Sequence, residues 1–163
     1  MHRRHLLVAA VSLALAGCGF QLRRPPELRF RTIALTGFRP HSPLADELRL
    51  NLNASPTTTV VEAPSQAQVV LEALTDARER SVVASTASGE VRELQIRTRL
   101  LFRLHTPAGK ELIAPTELVL SRDISYKENL ALAKEQEEAL LYRTMQSDIV
   151  GQVLRRLAAV KTV

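Results

Sequence analysis

Residues 94–104 read Leu-Gln-Ile-Arg-Thr-Arg-Leu-Leu-Phe-Arg-Leu. Every second position (Leu94, Ile96, Thr98, Leu100, Phe102, Leu104) is apolar or threonine, while the other parity carries Gln95, Arg97, Arg99, Leu101 and Arg103. Side chains of a strand point alternately to its two faces, so this pattern makes an antiparallel strand with one buried and one wetted face.

The neighbouring segments follow from that strand. Upstream, Val69 to Thr86 has strand composition, and Ala87-Ser88-Gly89-Glu90 supplies a turn. A symmetric hairpin then sets Val83 opposite Leu94, Ser81 opposite Ile96, Ala77 opposite Leu100 and Ala73 opposite Leu104. A one-residue slip would move the whole apolar set to the other face, so the pattern selects this register. Downstream, His105 to Gly109 turns the chain into a strand from Lys110 to about Tyr126, with Leu112 opposite Phe102, Leu118 opposite Ile96 and Leu120 opposite Leu94. Pro115 cannot donate to a ladder, which makes this an edge strand or a bulged one.

Helices close both ends. Arg31 to Thr36 is a short strand stopped by Gly37. Ser42 then offers an N-cap, Pro43 a first-turn proline, and Asp46 and Glu47 suit the positive end of the helix dipole. This helix runs to about Asn53 with Leu44, Leu48 and Leu52 on one side, and Thr57 to Val61 resumes extended structure. A long helix from Asn129 to about Ala158 presents Tyr142, Met145, Ile149, Val153, Leu157 and Val160 as one stripe. The expected class is α+β, a two-layer sandwich with two helices packed on one face of a mostly antiparallel sheet. Its order is β-α-β-β-β-α, with room for one further short strand.

The N-terminus has a different character. Arg3 and Arg4 precede an apolar run from Leu6 to Ala16 broken only by Ser12. At about ten residues it is too short for a membrane span, which needs roughly 20, and it has the form of a signal peptide. Leu15-Ala16-Gly17-Cys18 ends it with small residues before the only cysteine of the chain. A lone cysteine forms no intramolecular disulfide in an oxidising compartment, and acylation would remove its reactivity. An ordinary secreted protein with a chance cysteine after the cleavage site is the competing reading. The expected organisation is a cleaved signal peptide at 1–17, a lipidated N-terminus and tether at 18–28, stiffened by Pro25 and Pro26, and a single α+β domain at 29–163. Cleavage would remove Arg3 and Arg4 from the 22 basic residues and leave 20 against 17 acidic ones, a mild balance that gives no support to nucleic-acid binding.

Catalytic chemistry finds little to work with. Of the four histidines, His2 and His5 belong to the signal peptide. His41 and His105 each sit near a turn proline, without a nucleophile motif or a metal-ligand partner at regular spacing. Glu135, Glu137 and Glu138 lie beside Lys134 on a charged helical segment and read as a solvated face. No metal, cofactor or enzymatic activity is expected, apart from covalent lipid on Cys18.

The hairpin register has one unusual consequence: it sets Arg78 opposite Arg99 and Arg80 opposite Arg97 on the outer face. Like charges directly opposite one another destabilise a sheet unless an anion or a carboxylate sits among them. Two readings stand. One is an anion site built from guanidinium forks. The other is a soluble sheet face with interspersed acids, in which Glu117 neutralises Arg97 and Glu72 or Asp76 helps nearby.

Several segments together resemble a known family. They are Leu15-Ala16-Gly17-Cys18-Gly19-Phe20-Gln21-Leu22-Arg23, and the Gly89 turn followed by Glu93-Leu94-Gln95-Ile96. Arg122 then leads to Asn129-Leu130-Ala131-Leu132-Ala133-Lys134, and Met145 to Leu157 ends in Arg155-Arg156-Leu157. In this order they resemble the lipopolysaccharide-assembly lipoproteins of the LptE family, over nearly the whole mature chain. The lipobox segment also resembles those of lipoproteins whose residue after the cysteine, here Gly19 rather than aspartate, sends them to the outer membrane of a Gram-negative bacterium.

The family resemblance implies a non-enzymatic partner, one to one, of the large β-barrel LptD. Such a partner sits in the barrel lumen, supports barrel assembly and binds lipopolysaccharide during its delivery to the cell surface. It also implies that Lys134 matches a lipopolysaccharide-contacting position and Arg122 a recurring basic one. The family's basic residue at the hairpin turn falls on Ala87 here, which leaves Arg92 or the group Arg78, Arg80, Arg97 and Arg99 to take that role. The alternative function is a structural adaptor lipoprotein of another envelope complex, without a lipid ligand.

Overall fold

The alternation of residues 94–104 becomes an interior strand of a five-stranded sheet. The computed structural model describes residues 27–126 and 131–161. The expected signal peptide, Cys18, most of the expected tether and the first expected residues of the last helix lie outside the described residues. In chain order the elements are β1 (Thr32–Thr36), α1 (Pro43–Asn53), β2 (Thr59–Val61), β3 (Val69–Ser85), β4 (Val91–His105), β5 (Glu111–Ser125) and α2 (Ala131–Ala158). A short 3-10 turn at Pro64–Gln66 joins β2 to β3. The α+β class holds, and β2 is the further short strand.

The sheet order is β2-β1-β3-β4-β5. β1 runs parallel to both β2 and β3, whereas β3, β4 and β5 form a long antiparallel meander. Both helices cover one face. Leu44, Leu48 and Leu52 of α1 and Ile149, Val153 and Leu157 of α2 share a core with Ile33, Leu71, Leu100, Phe102 and Leu104. Each such large side chain contributes roughly 1.5–3 kcal/mol on burial, so this one seam carries most of the apolar stabilisation. Ser42 caps α1 by accepting from the Ala45 amide at 3.3 Å, and Arg155 and Arg156 complement the negative end of α2. Leu28 and Phe30 are already buried in the same core.

The strand registers differ from the symmetric expectation. Across β3 and β4, Val82 faces Leu94, Arg80 faces Ile96, Arg78 faces Thr98 and Ala77 faces Arg99, while Ala73 faces Phe102 and Leu71 faces Leu104. The ladder is irregular between Ala73 and Thr75, leaving Leu74 as an extra residue, and again between Val82 and Ala84. A bulge inserts one residue and so reverses which parity points inward. Before Leu74 the odd residues Val69, Leu71 and Ala73 face the helices; after it the even residues Asp76, Arg78, Arg80 and Val82 do. Gly37, at φ +73°, packs directly against this irregularity, where a Cβ would clash with the Ala73 carbonyl oxygen.

The second hairpin is shifted by four residues from the expected pairing. Leu118 faces Leu100, Leu120 faces Thr98, Arg122 faces Ile96 and Ile124 faces Leu94. Two of the four residues arise at the turn, where His105 already faces Glu111, and two more enter between His105 and Phe102, opposite the Glu111 to Thr116 segment that contains Pro115. β5 is thus both an edge strand and an irregular one, as a proline that cannot donate requires.

Candidate functional site

The bulge at Leu74 divides the arginines expected to form one patch. Arg78 and Arg80 turn toward α2, and Arg97 and Arg99 stay on the outer face. The four do not meet.

On the helix side, β3 and α2 enclose an open cleft of about 510 Å³ whose wall includes Arg78, Arg80, Glu138, Tyr142, Arg143 and Gln146. Arg78 donates to Gln146 Oε1 at 2.6 Å and stacks over the Tyr142 ring at 5.1 Å. Arg80 pairs with Glu138 at 3.4 Å. Burial first, and the like charge of Arg39 second, hold the Arg78 guanidinium below its ordinary range. Burial and the neighbouring Glu138 carboxylate raise the Tyr142 phenol above its ordinary value, and its hydroxyl donates to the Glu79 carbonyl at 2.8 Å. Gln146 is itself fixed, donating to the Pro43 carbonyl at 3.0 Å and to Glu47 at 2.6 Å.

Toward the hairpin end the same face becomes amphipathic. Arg80, Ile96 and Arg122 lie in one row across β3, β4 and β5, which places the two arginines two strand spacings apart, roughly 10 Å. The next row is Val82, Leu94 and Ile124. A cleft of about 320 Å³ opens there between Arg80, Val82, Val91, Leu94 and Tyr126, so that Arg80 belongs to both clefts. Val82 and Val83 are about half exposed. Lys134 donates to Glu137 at 2.8 Å and to Ser125 at 3.3 Å. Arg122 donates to the Ser121 carbonyl at 2.9 Å and is otherwise solvated. Arg92, beside the turn, reaches Glu90 at 3.4 Å.

The outer face is charge-matched. Arg97 pairs with Glu79 at 3.7 Å and donates to Gln95 at 3.0 Å, and Gln95 donates to Asp123 at 2.9 Å. Arg99 pairs with Glu117, and Arg103 with Glu72 at 2.6 Å. Glu117 therefore neutralises Arg99 rather than Arg97, a consequence of the shifted second hairpin. An acid lies within reach of each of these arginines, as the soluble-face reading expects.

Gln146, Glu138, Tyr142 and Arg143 were not singled out as site residues by the sequence. Glu138 reads there as part of a solvated face, yet its side chain is only 20% exposed and turned to Arg80. One signal was available: a glutamine directly beside Met145 falls on the buried stripe and needs partners. Among the described residues, no cluster of three or more His, Cys, Asp or Glu side chains is placed to hold a metal, and no helix is long and apolar enough to cross a membrane.

Two helices laid on one face of a mixed five-stranded sheet place the chain in a class of small lipoprotein domains. Lipoprotein B of Nitrosomonas europaea has this fold with a TM-score of 0.72 and 29% sequence identity, over 86% of this chain and 91% of that one. The rare lipoprotein B of Shewanella oneidensis matches at 0.64 and 26%, over 79% and 95%. Within that class, residues 30–157 match the LptE family, described as lipopolysaccharide-assembly, and the chain belongs to it. The LPS-assembly lipoprotein LptE of Pectobacterium atrosepticum is 27% identical over 162 residues, covering 98% of this chain and 87% of that protein.

Proposed function

We propose that the protein is a non-enzymatic lipoprotein of the outer membrane, tethered by lipid on Cys18. In this reading it pairs one to one with an LptD-type β-barrel, supports that barrel's assembly and binds lipopolysaccharide during its delivery to the cell surface. Family membership supports the process, and one observation supports the ligand contact: Arg80 borders both a cleft rich in charged side chains and a more apolar one, with Arg122 in the same row. A phosphorylated glycolipid presents anionic groups beside acyl chains. Guanidinium groups bordering apolar surface meet both demands, because charge-assisted contacts hold the phosphate while burial holds the chain. Lys134 and Arg92 extend the basic rim at the same end. Arg97 and Arg99 are left out of this role.

Depletion of the protein tests the proposal. Surface lipopolysaccharide should fall and the barrel should fail to mature; normal levels of both would overturn it. Photoreactive residues at Arg80 and Lys134 separate the two contacts. Adducts with lipopolysaccharide support the ligand role, and adducts with barrel protein alone restrict these residues to the barrel interface.

A further inference from the structure

A further basic cleft shares no lining residue with the seam described above. It measures about 350 Å³ and is bounded by the loop after β1 and by the first turns of α1, with Arg39, His41, Asp46 and Arg49 as its charged and titratable lining. The loop is held in an uncommon conformation at both ends. Gly37 takes φ +73°, and His41 takes φ 53°, in the left-handed region that non-glycine residues seldom adopt.

The two arginines here lack the short contacts that Arg78 and Arg103 make, a looseness they share with Arg80. Arg103 grips Glu72 at 2.6 Å and Arg78 grips Gln146 at 2.6 Å. Arg39, by contrast, reaches Asp76 only at 3.7 Å, and Arg49 reaches Asp46 only at 3.5 Å. The Arg49 Nε is buried and has no hydrogen-bond partner. Only one acid, Asp46, lines the cleft itself. Asp76 is outside its lining, has a side chain only 3% exposed, and already accepts from Ser42 Oγ at 2.5 Å. Asp46 is 71% exposed and free to turn to water. The charged lining is thus two guanidinium groups and His41 against the one exposed carboxylate of Asp46. The start of α1 adds little, since Ser42 already caps it.

We infer that Arg39 and Arg49, with His41 at the rim, form an anion site for a phosphate group, carried either by a free phosphate or by a lipid headgroup. Planar guanidinium forks bind phosphate oxygens in bidentate fashion, and a fork whose present acceptor lies beyond hydrogen-bond distance loses little in exchanging it. Its residues are not those proposed to contact lipopolysaccharide, so its failure would leave the proposed function standing.

The purified lipoprotein in non-ionic detergent provides the test, with inorganic pyrophosphate as the probe and the arginine Nε–Hε resonances as the readout. Saturable shifts at Arg39 and Arg49, absent when chloride is added at equal ionic strength, are the expected result. In R39Q/R49Q the affinity should fall at least tenfold, while R97Q/R99Q should match the parent. Shifts proportional to added salt, or equal with chloride, would overturn the site, and this readout on the parent protein does not depend on whether the double variant folds. Vesicles of phosphatidic acid against phosphatidylcholine then assign the source. Loss of phosphatidic-acid binding in R39Q/R49Q identifies a lipid headgroup, and unchanged vesicle binding with lost pyrophosphate binding identifies a soluble phosphate.

Discussion

The guanidinium of Arg78 crosses from β3 to α2 and donates to Gln146 Oε1 at 2.6 Å, while the amide nitrogen of the same glutamine donates to α1 through the Pro43 carbonyl and Glu47. One side chain thus ties the sheet to both helices. Removing it as Gln146→Leu strands a half-buried guanidinium and a carboxylate, which should lower stability by about 1–3 kcal/mol in urea denaturation. The double variant R78M/Q146L removes both ends of the bond and should recover part of that loss. Equal instability of the single and double variants would show that the bond couples nothing.

Gly37 and Gly89 both have positive φ, but only Gly37 is pressed against backbone. Gly89→Ala should cost about 1–3 kcal/mol, the conformational penalty alone. Gly37→Ala should cost that and more, because its Cβ would meet the Ala73 carbonyl oxygen at 2.1 Å. At roughly 2–4 °C per kcal/mol for a domain of this size, the two are distinguishable by thermal unfolding. Equal Tm values would mean that the loop after β1 does not hold the bulge in place.

The bulge also marks where the sequence stops being legible. The buried parity of β4, the α1 cap at Ser42 and the apolar stripe of α2 follow from period and capping chemistry, and they are found where those rules put them. The position of Leu74 does not follow from either. Val69 to Ser85 carries small, polar and apolar residues on both parities, so nothing local fixes where an extra residue enters, and the close approach of Gly37 that accompanies it is a tertiary contact. The error then spreads. One misplaced residue moves Arg78 and Arg80 from the outer face to the helix side, and with them the whole candidate site. Pro115 gave better warning for β5, since a missing donor announces an irregularity without saying how many residues it spans.

The raised Tyr142 ionisation predicts a pH dependence. In the folded chain the phenol holds its proton above its ordinary value of 10.0 because burial and Glu138 oppose the phenolate. Below that value both states are protonated and stability is unaffected. As pH rises through it, the unfolded chain releases the proton first, so stability falls. Tyr142→Phe should flatten this decline between about pH 9 and about pH 11, after a pH-independent loss of ~0.5–1.5 kcal/mol for the bond to Glu79. An unchanged alkaline slope in the variant would assign the decline to another group.

The two pairs of arginines should separate in a binding experiment, because their surroundings differ more than their charge. Arg97 and Arg99 are 45% and 43% exposed and each has an acid in reach, so R97Q/R99Q should change stability by no more than about 1 kcal/mol. It should leave lipopolysaccharide binding close to that of the parent. Arg80 is also half exposed, but it borders apolar surface at Val82 and Leu94, where an anion carrying acyl chains would be partly desolvated and a charge-assisted contact is worth more. R78Q/R80Q removes the same formal charge and should weaken lipopolysaccharide binding by about tenfold or more, since one such contact is worth ~1.5–3 kcal/mol. Equal losses in the two double variants would mean that net charge alone attracts the ligand, and the seam would lose its claim to be the site.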